Sequence, residues 1–479
     1  MAQKKRGGFK PPANYDPNRG KKRAAAAGKR GARPAQQAEP DRETRAAADA
    51  RSRRKAADRP AVPAPARLTA KLTTSDDAAQ LTFRDLGLGG NLLRVLGEMG
   101  AERPFPIQAA TIPDTIAGRD VLGRARTGSG KTIAFGAALV ERLLRLKADG
   151  AFASDPAPSK RQPARGVRAP KRPTRKPKAL ILAPTRELAL QIDRTVQPLA
   201  RSVGFYTAQL VGGTPLDPQL HALERGIDIV IGTPGRVQDL VDRRRLDLRE
   251  VLVSVLDEAD HMCDLGFLEP VQDILRQTAK GGQHLLFSAT LDASVSALVA
   301  EFLEDPAVHE AEEAAAMPVD HRVVMVRREH KDDVLAKLAS ARGRTIVFCR
   351  TRAYAEQIAT QLEERGVGVT ALHGDLSQSR RERNLAAFSL GRATVLVATD
   401  VAARGLHIDD VDLVVQADPP HDFKAYLHRS GRTGRAGKAG RVVTLIPQAR
   451  QERMREILRE AGVEASYFGV AEPGSRVLR

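Results

Sequence analysis

Short apolar runs rich in β-branched residues recur along the middle of the chain, separated by segments whose apolar positions have helical spacing. Between Phe83 and Val251 they occupy Val121–Leu122, Ala179–Ala183, Thr207–Val211, Ile227–Ile231 and Val251–Leu256. Such runs, alternating with helices, are typical of a parallel sheet covered by helices on both faces. The pattern predicts an α/β domain over residues 81–311, with a helix at Ile133–Val140.

A second series with the same pattern follows an acidic, alanine-rich segment at Glu310–Pro318, which we interpret as a linker. Its strands are predicted at Arg322–Val326, Thr345–Phe348, Val367–Leu372, Ala393–Val397, Asp412–Val415 and Val442–Ile446. The sequence therefore predicts two tandem α/β domains with parallel sheets, the second over residues 319–465, and a C-terminal tail over 466–479.

The net charge of +19 is concentrated in two stretches rich in Pro, Ala, Arg and Lys. Residues 1–80 hold 20 Lys and Arg against 8 Asp and Glu, and residues 147–178 hold 10 against 2. Segments of this composition cannot bury a core, so we predict a disordered basic tail over 1–80 and a disordered surface insertion over 147–178. Both would attract polyanions without sequence preference, or would serve only to keep the protein soluble.

The remaining composition excludes several classes of protein. The two cysteines, Cys263 and Cys349, provide neither a disulfide framework nor a metal-ligand cluster. No apolar stretch follows the basic N-terminus, and no run reaches the roughly 18 apolar residues of a membrane span. We therefore expect a soluble cytoplasmic protein without a membrane partner.

A glycine-rich turn lies between the run at Val121–Leu122 and the helix that follows. It comprises Ala125, Arg126, Thr127, Gly128, Ser129, Gly130, Lys131 and Thr132. Strand, glycine turn, Lys-Thr and helix is the arrangement in which backbone N–H groups surround a phosphate chain, Lys reaches the β- and γ-phosphates and Thr holds Mg²⁺. The alternative is a chance turn before a helix, because Ala125 stands where the general pattern has Gly.

Three carboxylates follow the apolar run Val251–Leu256, at Asp257, Glu258 and Asp260. Carboxylates at the C-terminal edge of a parallel sheet face the ligand crevice. Asp257 can hold Mg²⁺, partly through water, and Glu258 can orient and deprotonate a water that attacks a γ-phosphate. The alternative, an acidic helix N-terminus, becomes weak with a phosphate loop upstream.

From residue 83 to residue 437 the chain resembles the DEAD-box ATP-dependent RNA helicases of superfamily 2, with a bacterial-like composition. In chain order, the matching stretches are Gly100–Gln108, Ala125–Thr132, Pro184–Ala189, Gly212–Gly213, Thr233–Arg236, Asp257–Asp260, Ser288–Thr290, Ile346–Phe348, His373–Asp375, Gln378–Arg381, Ala398–Gly405 and His428–Arg435. The resemblance implies two RecA-like domains that share one ATP and one Mg²⁺.

The resemblance also implies roles for residues outside the phosphate loop. Gln108 would read adenine through its carboxamide, and Phe83 would stack on the base unless it is simply a core aromatic. Arg432 and Arg435 would act as arginine fingers from the second domain, the alternative being a solvated Arg/Gly turn. Gly405 and Asp409 would lie near the ribose, where this chain has His407 in place of the family's usual Asp.

The same resemblance implies an RNA site and its coupling to ATP. Ser288 and Thr290 would hydrogen-bond Asp260 or His428. The RNA backbone would be held, without reading bases, by Thr185, Arg186, Gly213, Thr233, Arg236, Gly374, Arg381 and Thr399. We expect an RNA-stimulated ATPase that locally unwinds short duplexes. The alternatives are an ATP-gated RNA clamp or assembly factor, a DNA helicase of related fold, and a non-enzymatic RNA-binding protein.

Overall fold

The computed structural model describes residues 69–125, 128–153, 175–311, 319–341, 343–403, 408, 411–434 and 439–478. These residues form two parallel sheets, so the predicted pair of α/β domains is confirmed. We call residues 69–311 the first lobe and residues 319–478 the second lobe.

The sheet of the first lobe has eight strands. They are β1 (Lys71–Thr73), β2 (Val121–Arg124), β3 (Ala179–Leu182), β4 (Thr207–Leu210), β5 (Ile229–Gly232), β6 (Val253–Asp257), β7 (Gln283–Ser288) and β8 (Ala307–Ala311). Their order is β1-β8-β2-β7-β6-β3-β5-β4, with every neighbouring pair parallel. The strand before the glycine turn and the strand before Asp257 are thus separated by β7 alone, which brings their C-terminal ends close together.

The sheet of the second lobe has seven strands. They are β9 (Asp320–Met325), β10 (Thr345–Cys349), β11 (Val369–Leu372), β12 (Val395–Thr399), β13 (Leu413–Gln416), β14 (Arg441–Ile446) and β15 (Tyr467–Val470). Their order is β11-β12-β10-β13-β14-β9-β15, again parallel throughout.

Helices cover both sheets. In the first lobe they are α1 (Ser75–Ala79), α2 (Gly90–Glu98), α3 (Pro106–Ala117), α4 (Lys131–Ala148), α5 (Arg186–Ser202), α6 (Leu216–Arg225), α7 (Pro234–Asp242), α8 (Ala259–Asp264), α9 (Leu268–Leu275) and α10 (Ala293–Phe302). In the second they are α11 (Lys331–Ala339), α12 (Arg352–Glu364), α13 (Gln378–Ser389), α14 (Asp400–Ala403), α15 (Phe423–Ser430) and α16 (Gln451–Glu460). Side-chain caps begin several of them, for example Thr185 on α5 and Asp422 on α15.

Apolar clusters lie on both faces of each sheet, as expected for strands buried on two sides. Close packing also explains one strand glycine. A Cβ on Gly123 of β2 would lie 2.6 Å from the ring of Phe287 on β7, and Phe287 in turn packs on Phe135 of α4 with ring centroids 5.4 Å apart. The phosphate-loop strand is therefore fixed against the layer above it.

The edges of both domains differ from the sequence-based limits. Within the predicted tail 1–80, Lys71–Thr73 pairs with β8 and Thr74 caps α1, so the prediction of disorder is wrong for these residues. β8 itself extends into the predicted linker, and β15 extends the second sheet beyond residue 465. The edge strand β1 has only one buried residue and the edge strand β15 has none, so neither shows the continuous buried apolar run of the inner strands. Residues 1–68 lie outside the described residues.

The ends of the predicted insertion 147–178 are ordered, whereas residues 154–174 lie outside the described residues. Helix α4 includes Lys147, and Lys176 lies 3.0 Å from carboxylate oxygens of both Asp247 and Glu250. Within the described ranges, no helix is long and apolar enough to cross a bilayer. The cytoplasmic location inferred from composition stays a prediction.

Candidate nucleotide and RNA site

The described part of the glycine turn connects β2 to α4 with two glycines in the left-handed region. Gly128 has φ of 88° and Gly130 has φ of 86°, backbone that L side chains rarely adopt. Gly130 is also crowded, since a Cβ there would lie 2.4 Å from Gln108 Nε2 and 2.7 Å from Phe105 Cδ2. Both the left-handed backbone and the crowding therefore require glycine at position 130. Thr132 lies in the first turn of α4, and Ser129 lies between the two glycines.

Lys131 is buried at the start of α4, where its ammonium group donates to the carbonyl oxygen of Ala125 at 2.9 Å. Its charge also acts on Asp257 and Glu258, because it lowers the pKa of both carboxyls. Lys131 is thus hydrogen-bonded to the turn and acts electrostatically on the carboxylates, beside the place where a phosphate chain bound by the turn would lie.

Asp257 ends β6 and is 3% exposed. Burial raises the pKa of its carboxyl to about 7, even though the charge of Lys131 and the hydrogen bond from the Glu258 N–H act in the opposite direction. A nearly dry carboxylate next to a lysine can hold a divalent cation, because such a cation would compensate the charge that burial disfavours.

The raised pKa of Asp257 predicts a pH-dependent difference in folding stability between the parent protein and an Asp257→Asn variant. The raised pKa of Asp257 means that folded protein loses stability as pH rises from about 4 to about 7, because a buried carboxyl must ionise. Asp257→Asn should therefore stabilise the protein in EDTA, without nucleotide, at pH 8 by roughly 2–4 kcal/mol. Thermal melts at pH 8 should show a higher melting temperature for the variant than for the parent, and this difference should narrow towards pH 5. A less stable variant at pH 8 would contradict the assignment.

Glu258 adopts φ of 52°, a left-handed conformation that is uncommon outside glycine, at the start of α8. Burial alone would raise the pKa of its carboxyl. The hydrogen bond and charge of His261, together with the charges of Lys131 and Arg432, outweigh that effect and lower the pKa to about 2. Glu258 is therefore ionised at neutral pH and faces cationic groups from both lobes.

Asp260 connects α8 to the segment after β7. One carboxylate oxygen accepts hydrogen bonds from the N–H of Ala289 at 3.2 Å, from the N–H of Thr290 at 3.0 Å and from the Thr290 hydroxyl at 3.1 Å. The hydroxyl of Ser288 instead donates to the carbonyl oxygen of Thr290 at 2.7 Å. Of the two expected hydroxyl contacts to Asp260, the structure therefore places Thr290 there and not Ser288.

Gln108 lies in the first turn of α3, beside the glycine turn. Its Oε1 accepts from the N–H of Phe105 at 2.8 Å, and its Nε2 donates to the carbonyl oxygen of Gly130 at 3.0 Å. One Nε2 hydrogen and one Oε1 lone pair remain, the pair of groups that adenine N7 and N6 require. Phe83, in contrast, is 3% exposed in the core, so stacking on a base would require its ring to leave that core. Phe105, 56% exposed, is an aromatic ring beside the turn.

Gln108→Ala should raise the KM for ATP about 10- to 100-fold, because two hydrogen bonds to the base are removed and the turn no longer has its partner at Gly130. The preference for ATP over GTP should shrink in parallel, measured as the ratio of kcat/KM values. Gln277→Ala is a matched control, since the side-chain amide of Gln277 donates to the carbonyl oxygen of Asp273 in α9, away from the glycine turn. An unchanged ATP/GTP ratio would exclude Gln108 as the base-reading residue.

The second lobe places Arg432 and His428 against the carboxylates of the first lobe. Arg432 is 5% exposed, and its charge lowers the pKa of Glu258. The His428 ring centroid lies 6.4 Å from that of His261, and burial lowers the pKa of His428. A guanidinium group expected from the second domain, that of Arg432, is therefore close enough to Glu258 for its charge to favour the ionised carboxylate.

Arg429 fixes the helix that presents these groups. Its guanidinium group makes two 2.6 Å hydrogen bonds to Asp400, and also donates to Gln416 Oε1 at 3.2 Å and to the carbonyl oxygen of Asp418 at 2.7 Å. The side chain is almost fully buried. A bidentate, buried pair of this kind locks orientation, so α15 holds His428 and Arg432 in a defined position.

The RNA-site residues predicted in the first lobe are contiguous. Arg186 packs over Gly213, where a Cβ would lie 2.0 Å from Arg186 Nη1. Arg236 donates to the carbonyl oxygen of Thr214 at 3.4 Å, one residue beyond Gly213. Thr185 caps α5 and Thr233 precedes α7, at the C-terminal ends of β3 and β5.

The second lobe continues this surface. Gly374 follows β11 and Thr399 ends β12, which are adjacent strands. Arg381 is paired with Glu187 of the first lobe at 2.9 Å, and Arg186 donates to Gln378 at 3.3 Å. Two of the three arginines expected to contact phosphates, Arg186 and Arg381, therefore also connect the two lobes.

Six residues singled out in the sequence, Arg126, Thr127, Gly405, His407, Asp409 and Arg435, lie outside the described residues. Their roles stay predictions. Conversely, sequence reasoning gave no role to His261, Glu187, Arg429 or Lys424, which pairs across the lobes with Asp292. Their partners are distant in sequence or depend on a left-handed backbone, so no local signal could have found them.

The site fits Mg²⁺ bound with a nucleotide. Among the described residues no cluster of three or more His, Cys, Asp or Glu side chains could hold a metal alone. Mg²⁺ is usually bound by one or two carboxylates together with phosphates and water, and not by a cage of protein ligands. The buried Asp257 and the hydroxyl of Thr132 next to Lys131 provide a donor set of that kind.

Comparison with known proteins agrees with this geometry. The DEAD/DEAH box helicase family matches residues 105–298, and the helicase conserved C-terminal domain matches residues 327–437. The chain is 39% identical to the maize chloroplastic DEAD-box ATP-dependent RNA helicase 3B over 82% of this chain and 51% of the maize protein. It is 37% identical to the RNA helicase CrhR of Synechocystis sp. over 78% of this chain and 72% of CrhR.

The fold is also similar to that of S. cerevisiae Dbp5 bound to RNA and ADP BeF3, with a TM-score of 0.67 and 27% identity over 81% of this chain and 95% of Dbp5. This chain spans about half the length of the maize relatives it matches. The matched domains, their order and the carboxylates at Asp257–Asp260 lead to one conclusion: the chain belongs to the DEAD-box helicase family.

Proposed function

We propose that this protein is an RNA-stimulated ATPase that holds the RNA backbone without sequence preference and locally unwinds short duplexes. The main support is that the two lobes meet at this site, where His428 of the second lobe lies beside His261 and the charge of Arg432 acts on Glu258 of the first lobe. A nucleotide held by the glycine turn would thus be enclosed only when the lobes are together. Solved relatives bound to RNA and nucleotide analogues agree with this proposal.

Each group has a defined task in hydrolysis. Lys131 neutralises the β- and γ-phosphates, and Arg432 stabilises charge that develops on the γ-phosphoryl group. Glu258, ionised at neutral pH, orients the attacking water and accepts a proton from it. Asp257 and Thr132 would hold Mg²⁺, which would supply further charge neutralisation when bound.

RNA binding and ATP binding are coupled because they favour the same arrangement of lobes. RNA phosphates would contact a surface formed by Arg186, Gly213 and Arg236 on one lobe and by Gly374 and Thr399 on the other. ATP would contact both lobes through Lys131 and Arg432. By linkage, each ligand then raises the affinity of the other. A strand bent by closure would lose pairing with its partner, and hydrolysis would release it.

The direct test compares ATP turnover with no polymer, with oligouridine and with single-stranded DNA of equal length. We expect RNA to stimulate turnover and DNA to stimulate it much less. Equal turnover in all three would overturn the proposal, and equal stimulation by DNA would favour a DNA helicase. The second candidate, an ATP-gated RNA clamp or assembly factor, is supported by the several interlobe ion pairs, and a strand-displacement assay separates it from a helicase.

Removing residues 1–68 is expected to weaken RNA affinity and to flatten its salt dependence. These residues hold 19 Lys and Arg against 6 Asp and Glu, and each RNA phosphate that they no longer neutralise should reduce the slope of log K against log salt by about 0.7 for single strands. The truncation ends at residue 68 because Lys71–Thr73 belongs to the first sheet. Basal ATPase should not change. A salt slope equal to that of the full chain would exclude the tail as an RNA-binding arm.

A further inference from the structure

The imidazole of His261 lies between the carboxylate of Glu258 and the second lobe. Its Nδ1 is 3.1 Å from Glu258 Oε2, and the side chain is 3% exposed. Since an ionised carboxylate only accepts hydrogen bonds, the hydrogen on Nδ1 is the one shared with Glu258. On its other side the ring faces His428, with centroids 6.4 Å apart. Its Nε2 is buried and has no hydrogen-bond partner among the described residues.

The local backbone explains why the two side chains meet. Glu258 is held in the left-handed region and α8 begins at the next residue, so His261 is three positions further on and lies over Glu258. A left-handed conformation costs a non-glycine residue roughly 1 kcal/mol or more, so contacts elsewhere must hold it. Glu258 is therefore a residue whose direction is determined by its neighbours.

The other carboxylates of this segment do not depend on His261 in the same way. Asp260 accepts from the backbone of His261, Ala289 and Thr290 and from the Thr290 hydroxyl. For Glu258, in contrast, His261 is the one side chain of the described residues that lies within hydrogen-bonding distance of the carboxylate. Loss of the His261 side chain would thus release Glu258 and leave Asp260 in place.

We propose that His261 is a positioning residue for Glu258, and that it transmits closure of the lobes to the carboxylate that orients water. His428 packs against His261 only when the second lobe is in place, and His261 in turn fixes Glu258. This inference rests on the proposed function, because it assigns the orientation of a water-activating carboxylate. It predicts that hydrolysis, and not ligand binding, depends on His261.

The test measures kcat and KM for ATP with saturating oligouridine, and Kd for AMP-PNP, in the full chain. His261→Leu should lower kcat about 10- to 100-fold, while the KM for ATP and the Kd for AMP-PNP stay within about twofold, because a misdirected carboxylate affects only the chemical step. His261→Asn, whose side-chain N–H can occupy the place of Nδ1, should recover activity to within about fivefold of the parent. His284→Leu is a matched control for loss of a buried histidine, since His284 packs against Phe302 with centroids 6.0 Å apart.

The outcomes separate this inference from the proposed function. Normal kcat in His261→Leu, together with an inactive Glu258→Gln, overturns the role of His261 and leaves the proposed function standing. Turnover by Glu258→Gln at the parent rate overturns the proposed function itself. Equal losses of kcat in His261→Leu and His261→Asn would show that the side-chain N–H donor does not position Glu258, and would also overturn the inference. If His261→Leu does not bind AMP-PNP, the test rests on His261→Asn. A kcat of His261→Asn below about a tenth of the parent value would then contradict positioning of Glu258 by the N–H.

Discussion

Glu258→Gln is expected to bind ATP as tightly as the parent and to hydrolyse it about 10²–10⁴-fold more slowly, the range of a lost general base. Glutamine keeps the size and the planar end of the side chain, so the nucleotide pocket should not change. The substitution removes the negative charge that His261, Lys131 and Arg432 stabilise on Glu258. It thereby removes the group that accepts a proton from water.

The measurement pairs single-turnover hydrolysis with the Kd for AMP-PNP, so that chemistry and binding are read separately. Glu98→Gln provides a control, because Glu98 is exposed at the end of α2 and, among the described residues, pairs with Arg94 alone. A Glu258→Gln variant with parental turnover would exclude Glu258 as the residue that activates water. A variant that no longer binds AMP-PNP would instead assign Glu258 to the pocket's structure.

Arg432→Ala is expected to cause the larger loss, about 10³-fold or more in kcat, as arginine fingers supply roughly 10³–10⁵-fold in related phosphoryl transfers. Arg432 is 5% exposed, and its charge acts on Glu258 from the second lobe. Its removal takes away one of the two arginines expected to reach the γ-phosphate from the second lobe. Arg432→Lys should recover only part of the rate, because an ammonium group lacks the planar fork that matches phosphate oxygens.

The measurement is RNA-stimulated turnover at saturating ATP, with oligouridine affinity measured in parallel in the absence of nucleotide. Without nucleotide, Arg432→Ala should bind RNA like the parent. Arg392→Ala is the control, an exposed arginine before β12 in the same lobe. If Arg432→Ala retains more than about a tenth of the parental kcat, the positive charge from the second lobe does not contribute to the transition state as proposed.

The parts of the molecule that the sequence predicts well are those set by local chemistry. The apolar runs predicted most strands because each is buried on both faces. The residues of the glycine turn and Asp257 follow directly from strands, so their place at one edge of the sheet was also foreseeable. Gln108 required the resemblance, because nothing local indicates that Gly130, 22 residues away, accepts a hydrogen bond from its amide.

What the sequence did not indicate depends on contacts between distant segments. The pair Arg381–Glu187 joins two lobes that are distant in sequence, and the edge strands β1 and β15 have at most one fully buried residue each. The contact of His261 with Glu258 depends on a left-handed residue that no propensity predicts. Burial of Phe83 was one of two alternatives in the sequence, and only packing against the core could decide between them.

Binding of one nucleotide by both lobes can be tested most directly as thermodynamic coupling between AMP-PNP binding and oligouridine binding. The Kd for AMP-PNP is determined with and without saturating oligouridine, in the parent and in Arg432→Ala. We expect oligouridine to tighten AMP-PNP binding by about fivefold or more in the parent, the lower end of typical coupling, and to have little effect in the variant. Equal coupling in both proteins, or none in the parent, would contradict a nucleotide site completed by the second lobe.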